Sequence, residues 1–287
     1  MIAQGRMSKQ DGEVQVSTEP KSVIVTGASS GLGAHITRHL VASGDNVVAT
    51  GRRLDRLAAL EVDLADSAGE LRIIRADVTS ATDARRTAEL GVSAFGRIDA
   101  LVNNAGMEIP APIEELEEAD LEAMLRTNIV GPYLYTRAAL PYLKERGGSI
   151  VNLGSTVVSR APRFRFGYVA TKGAVEAMSM ALAGDLGPHK IRVNVVRPGI
   201  VPSGLRGSTE ADEAETMKTR VPHIQALEAV GKGADVSSVV AFLVSDAAEW
   251  ITGAVIDVDG GYSLGVWRQC PPASAGEVPE AAPNSRR

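Results

Sequence analysis

Hydrophobic residues in this chain fall into seven short runs, separated by longer segments in which apolar positions return every three or four residues. The runs are SVIVTG (22–27), NVVAT (46–50), LRIIRAD (71–77), IDALVNN (98–104), SIVNLG (149–154), IRVNVVRPG (191–199) and AVIDVDGG (254–261). Most are β-branched and unbroken rather than alternating, which suits strands covered on both faces of a parallel sheet. Segments such as RLDRLAALEVDLA (53–65) and GAVEAMSMALAGDLG (173–187) carry helical spacing, and Gly187-Pro188 punctuates the end of the second. Strand and helix alternating at this interval predict βαβ units. The expected fold is therefore α/β, a doubly wound parallel sheet of about seven strands with helices on both faces. No linker or internal repeat interrupts residues 21–264, which read as a single domain. Residues 1–20 are polar and without period, and residues 265–287 are rich in Pro and Ala; both read as flexible, a leader and a tail.

Composition narrows the function classes. A net charge of −5 and a pI near 5.5 point away from nucleic-acid binding, which usually shows a basic face. The single cysteine, Cys270, excludes an internal disulfide and a cysteine-based zinc site. No apolar run reaches the ~18 residues of a membrane span. The N-terminus lacks the apolar core of a secretory signal, so no membrane partner is expected and a cytoplasmic location follows by default. The four histidines, His35, His39, His189 and His223, form no ligand cluster, and no metal site is expected.

The first apolar run leads directly into Thr26-Gly27-Ala28-Ser29-Ser30-Gly31-Leu32-Gly33, followed by a helical segment. Glycines at this junction allow a sharp turn and close approach of the backbone to a pyrophosphate, which the helix N-terminus then favours. The Lys-Ser/Thr pair of a phosphate-transferring P-loop is missing. The fold expected is thus Rossmann-type, with either a dinucleotide on this turn or, at Gly31 and Gly33, no more than a tight turn before a helix.

Here the sequence resembles the short-chain dehydrogenase/reductase family, whose fingerprint at this point is TGxxxGxG. The resemblance continues through Asp77, Asn103-Asn104-Ala105-Gly106, Asn128, Ser155, Tyr168-x-x-x-Lys172 and Arg197-Pro198-Gly199, and covers residues 21–264. It implies an oxidoreductase in which Asn128, Ser155, Tyr168 and Lys172 are catalytic. The cofactor residues implied are Gly27, Ser29, Ser30, Gly31, Leu32, Gly33, Asp77, Val78, Asn104, Ala105, Gly106, Tyr168, Lys172, Pro198, Gly199, Val201 and Ser203. Asp77 resembles the residue near the adenine ring. Ser203 stands where the family commonly has a threonine for the nicotinamide carboxamide.

Which dinucleotide is bound turns on the end of the second strand. NAD selection usually places an acid there, to accept from the ribose 2′-OH. This chain has Gly51 at that point, then Arg52 and Arg53, and guanidinium groups suit a 2′-phosphate. In look-alike enzymes an arginine at the position of Arg52 goes with NADP(H), so NADP(H) is expected in preference to NAD(H).

Carbonyl reduction needs a hydride donor, a proton for the oxygen, and stabilisation of developing charge. A tyrosine near pKa 10 needs a neighbouring cation to serve, and the i, i+4 spacing puts Tyr168 and Lys172 on one helical face. By resemblance Tyr168 is the acid in reduction and the base in oxidation, and Lys172 also binds the nicotinamide ribose. Ser155 bonds the substrate oxygen, while Asn128 holds a water of a proton relay. One departure is Gly154, where the family often has a second serine. The implied reaction interconverts a secondary alcohol and a ketone on a small-molecule substrate.

Three further expectations concern the substrate side. Residues 200–223 read as a long loop and hence a substrate lid. Arg160, Arg163 and Arg165, beside Phe164 and Phe166, read first as a solvated loop or a subunit contact, and alternatively as a receiver for an anionic substrate or a carrier-linked acyl group. The apolar residues in 132–143 and 173–186 allow the homotetramer or homodimer common in the family. Alternatives are a 3-oxoacyl-[acyl-carrier-protein] reductase and, in another class, a non-catalytic dinucleotide-binding regulatory protein on the same fold.

Overall fold

A computed structural model describes residues 19–205, 209–218, 221 and 224–265. Most of the expected leader and tail, with Cys270 and His223, lie outside the described residues. Seven strands form one parallel sheet: β1 (Ser22–Thr26), β2 (Asn46–Gly51), β3 (Leu71–Arg75), β4 (Ala100–Asn103), β5 (Gly148–Leu153), β6 (Ile191–Pro198) and β7 (Val255–Val258). Their order is β3-β2-β1-β4-β5-β6-β7. The count and positions expected from the apolar runs hold.

Helices cover both faces, which explains why the strand runs do not alternate. Val23 and Val25 of β1 face a core built with α1 (Gly31–Ala42), α2 (Leu54–Asp63) and α9 (Gly233–Val244). Ile24, between them, faces a second core built with α3 (Ala81–Phe95), α5 (Gly131–Arg146) and α7 (Phe166–Leu186). Every β1 position is buried, so neither face leaves a polar signature. Burying each such Val or Ile contributes about 1.5–3 kcal/mol.

The chain runs outward from β1 in both directions: β2 and β3 lie on one side, β4 to β7 on the other. That reversal opens a crevice beyond the C-terminal ends of β1 and β4, where such sheets bind ligands. The segments TGASSGLG and NNAG both emerge there.

Three elements differ from expectation. Helix α7 begins at Phe166, seven residues before the apolar repeat from 173. Its first turns bury Tyr168, Thr171 and Lys172, and a face of polar residues leaves no hydrophobic period to read. The stretch 200–223 is not wholly loop, because Glu210–Lys218 forms helix α8. None of α8 is buried, so it too lacks an apolar stripe; Glu210, Asp212 and Glu213 in its first turn suit a helix N-terminus. Between α4 (Glu118–Leu125) and α5 the backbone widens into a π-helical turn, Arg126–Val130, a device found often at functional sites.

Candidate active site

The glycine turn between β1 and α1 fits a dinucleotide cradle on steric grounds. Gly27 takes φ +68°, and a Cβ there would stand 2.8 Å from Ala105 Cα. A Cβ on Gly33 would stand 2.3 Å from the Gly27 carbonyl oxygen and 2.5 Å from Asn104 Nδ2. Both are closer than real Cβ atoms approach, so the turn closes only with hydrogen at these positions. Asn104 clamps the loop after β4 onto the cradle, donating from Nδ2 to Thr26 O at 2.8 Å. Thr26 Oγ1 returns the bond, accepting from the N–H groups of Asn104 and Ala105 at 3.0 and 3.1 Å.

At the edge of the cradle Arg53 donates to Ser29 Oγ at 3.2 Å and to Ser30 Oγ at 2.5 Å. Burial, and then the positive charges of Arg56 and Arg52, hold the Arg53 guanidinium below its usual pKa. A cationic group so crowded favours an anion. The side chain of Ser29 fills the space beside Gly51, 3.1 Å from where a Cβ would point. A side chain at 51 would require Ser29 to shift by a few tenths of an ångström. Asp77, whose Oδ1 accepts from Thr79 N and Oγ1 at 2.9 and 2.8 Å, is held below the usual carboxylate range, chiefly by the backbone bond. Val78 packs against Gly131 at the start of α5.

Helix α7 carries Tyr168 and Lys172 one turn apart on its buried face. Lys172 Nζ lies 5.7 Å from the Tyr168 ring centroid and donates to the Leu153 carbonyl, the last residue of β5, at 2.6 Å. Burial pushes the Lys172 ammonium down to about 8, against the opposing pull of the Glu108 and Glu176 carboxylates. Ser155 follows two residues after Leu153. Its Oγ accepts from Val157 N at 3.3 Å, which leaves the hydroxyl hydrogen free to donate.

Asn128 is turned inward by the π-helical turn and buried. Nδ2 donates to Met107 O at 2.9 Å and to Thr171 Oγ1 at 3.0 Å, and Oδ1 accepts from Met107 N at 2.8 Å. Thr171 Oγ1 in turn donates to the Tyr168 carbonyl at 2.8 Å. The side chain thus ties the loop after β4 to the first turns of α7. One lone pair on Oδ1 remains for a further partner. Oδ1 and Lys172 Nζ both face Gly106, at 3.4 and 3.7 Å from where its Cβ would stand.

Sequence reasoning missed two partly buried ion pairs here. Arg197 grips Glu176 of α7 through two bonds, 2.7 and 2.5 Å, and reaches Ser159 and Asp257. Arg165 pairs with Glu108, so it is not a free receiver for an anionic substrate. Arg163 lies over Phe164 and Arg160 over Tyr262. No periodicity marks a carboxylate and a guanidinium that meet from distant segments.

Val195 of β6, more than the stem of Arg197, accounts for Gly154. A Cβ there would stand 2.7 Å from Val195 Cγ1 and 3.2 Å from Arg197 Cγ. Restoring a serine, Gly154→Ser, is expected to destabilise the fold by about 1–3 kcal/mol through overpacking. Denaturant melts would measure it, and an unchanged midpoint would mean that Val195 and Arg197 yield without strain.

The residues of the last loop expected to meet a cofactor take different places. Pro198 ends β6 and its carbonyl accepts from the Thr156 amide and hydroxyl, both at 3.2 Å. Gly199 N donates to Val258 O at 2.9 Å, and Val201 is buried. Ser203 is folded down on the cradle, its carbonyl oxygen 2.3 Å from where a Cβ on Gly31 would stand. A cavity of about 600 Å³ opens beside Val201, lined also by Gln225, Leu227 and Asp259, and it does not reach Tyr168. His35 and His39 meet Glu210 and Ser237 respectively. Among the described residues no group of three or more His, Cys, Asp or Glu could hold a metal ion, and no helix is long and apolar enough to cross a membrane.

Comparison with known proteins matches residues 27–263 to a family described as Enoyl-(Acyl carrier protein) reductase. An uncharacterized oxidoreductase of Methylorubrum extorquens is 40% identical over 257 residues, 89% of this chain and 99% of that protein. The L-fucose dehydrogenase of Mus musculus is 37% identical over 267 residues, 92% and 96% of the two chains. Among solved structures, a short-chain dehydrogenase/reductase, glucose/ribitol dehydrogenase, from Brucella melitensis superposes with a TM-score of 0.79 at 36% identity, covering 86% of this chain and 98% of that one.

Proposed function

This chain belongs to the short-chain dehydrogenase/reductase family, and from that membership we propose an NADP(H)-dependent oxidoreductase that interconverts a secondary alcohol and a ketone. The observation that carries the reading is the buried Lys172 ammonium beside the Tyr168 ring, at the crevice where the sheet order reverses. Gly27, Ser29, Ser30, Gly31, Leu32 and Gly33 would hold the pyrophosphate, with Asp77, Val78, Asn104, Ala105, Gly106, Pro198, Gly199, Val201 and Ser203 around the rest of the dinucleotide. A bound nicotinamide supplies the hydride in reduction and accepts it in oxidation.

The chain's own groups manage the proton. Tyr168 Oη gives a proton to the substrate oxygen in reduction and takes it back in oxidation. Lys172 stabilises the phenolate left behind, and the ammonium hydrogens not engaged by Leu153 O are available to ribose hydroxyls. Ser155 donates its free hydroxyl hydrogen to the same oxygen and spreads its developing charge. Asn128 holds the loop after β4 and the start of α7 in register, with its remaining lone pair open to a water of the relay.

The choice of NADP(H) rests on Arg53 and Arg52 and on the space taken by Ser29 at Gly51. Replacing both arginines by alanine is expected to raise the KM for NADPH about 10- to 100-fold, the worth of charge-assisted bonds to a phosphate. The KM for NADH should stay within about twofold, because NADH has no 2′-phosphate. Equal losses for both dinucleotides would place the arginines elsewhere in the site.

The test of the function is an NADPH-consumption screen over ketones, sugars and acyl thioesters, repeated with NADH. Turnover of acyl thioesters alone would favour the 3-oxoacyl-[acyl-carrier-protein] reductase. Binding without turnover of any substrate would favour the regulatory reading. Cytoplasmic location and assembly as a homotetramer or homodimer complete the proposal. Exposed Leu125 and Tyr133 on α4 and α5, and Met180 on α7, are apolar groups that such an assembly would cover.

A further inference from the structure

The N-terminus of α1 is capped by a residue distant in sequence. Ser30 makes no side-chain cap bond, and no acidic residue stands in the first turn of α1. The acceptor is Glu210, the first residue of α8, 179 positions later in the chain. Its Oε1 accepts from Gly31 N at 3.1 Å, and its Oε2 lies 3.1 Å from His35 Nε2, one turn further along α1. The approach to α8 is fixed on the same spot. Ser203 and Gly204 donate their N–H groups to Glu213 Oε2 at 2.8 and 3.1 Å, and the Ser203 carbonyl rests on Gly31.

A helix N-terminus with unpaired N–H groups favours an anion, and the first N–H of α1 has taken a carboxylate. We propose that Glu210 is an internal stand-in for the dinucleotide's pyrophosphate, a carboxylate carried on the lid that closes the cradle until the dinucleotide displaces it. The inference rests on the reading of this turn as the dinucleotide cradle. Two anions cannot share one set of N–H donors without strong repulsion, so binding must expel Glu210. Apparent dinucleotide affinity is then lowered by the fraction of molecules with Glu210 in place. Glu210 thereby sets how tightly the dinucleotide is held, without touching the substrate.

Titration of the full chain with NADPH and with NADH, followed by nucleotide fluorescence, tests this. Glu210→Ala is expected to bind both dinucleotides about fivefold tighter, the worth of one helix-end charge contact. Inorganic pyrophosphate, added as a competitor, should gain by the same factor, since the cradle and not the nicotinamide is what opens. Glu215→Ala, on the same helix and paired with Lys218 in an exposed bridge, should leave both affinities unchanged. Unchanged or weaker binding by the Glu210 variant would overturn the stand-in and leave the dinucleotide reading intact. Failure of parent and variant alike to bind either dinucleotide would overturn that reading, and this inference with it.

Discussion

Tyr168→Phe is expected to lower kcat by about 10²- to 10⁴-fold, the usual contribution of a positioned acid–base group. The substitution removes one oxygen and keeps the ring. Tyr168 is 7% exposed, and its ring faces Lys172 Nζ across 5.7 Å, so the packing of α7 should survive. Loss of one hydroxyl bond costs about 1 kcal/mol, a few degrees at most in Tm. Dinucleotide affinity should stay within about twofold, because the cradle at Gly27–Gly33 and the arginines at 52 and 53 are untouched. The pairing of lost turnover with retained binding is the diagnostic result. Steady-state kinetics and nucleotide titration on the same preparation supply both halves. A variant that keeps kcat within about fivefold would remove Tyr168 from the chemistry and direct attention to another proton donor.

What the sequence disclosed follows from the kind of signal each element leaves. The strands were legible because burial on both faces demands unbroken runs of Val and Ile, as at Val23–Val25. The tight turn was legible because close backbone approach at Gly27 and Gly33 admits no other residue. The start of α7 was not, since its buried face is Tyr168, Thr171 and Lys172, residues that ordinarily point to water. Helix α8 escaped for the opposite reason, having no buried face at all. Arg165 read as an open anion receiver because its partner, Glu108, lies 57 positions away. Arg197 and Glu176 likewise meet without any shared sequence signal, and Gly154 marks room taken first by Val195 and then by the Arg197 stem. Asn128, to which the resemblance assigns a relay, has its side chain engaged with Met107 and Thr171. The π-helical turn that aims it leaves no signature in hydrophobic spacing.

Lys172→Met should be the most informative loss, because function and stability are expected to move in opposite directions. Catalysis loses the cation that faces the Tyr168 ring, and kcat should fall about 10²- to 10⁴-fold. Unlike Tyr168→Phe, the change also removes ribose-binding hydrogens, so dinucleotide binding should weaken about tenfold. Burial lowers the Lys172 ammonium to about 8, against an ordinary 10.5. The folded state therefore resists the charged form, and below about pH 8 the buried ammonium opposes folding in full. Methionine fills nearly the same space without a charge, so Tm at pH 7 should rise despite the lost bond to Leu153 O. Between about pH 8 and 10.5 the parent sheds that proton on folding and the opposition fades, so the advantage of methionine should shrink over this interval. In the parent, kcat/KM for reduction should decline as pH rises through about 8, when Lys172 loses its proton, and the variant should lack this limb. Thermal melts from pH 6 to 10 and pH–rate profiles of both proteins measure the two effects. A methionine variant less stable than the parent at pH 7 would mean that the bond to Leu153 outweighs burial of the charge, so that Lys172 is held for structure as much as for chemistry.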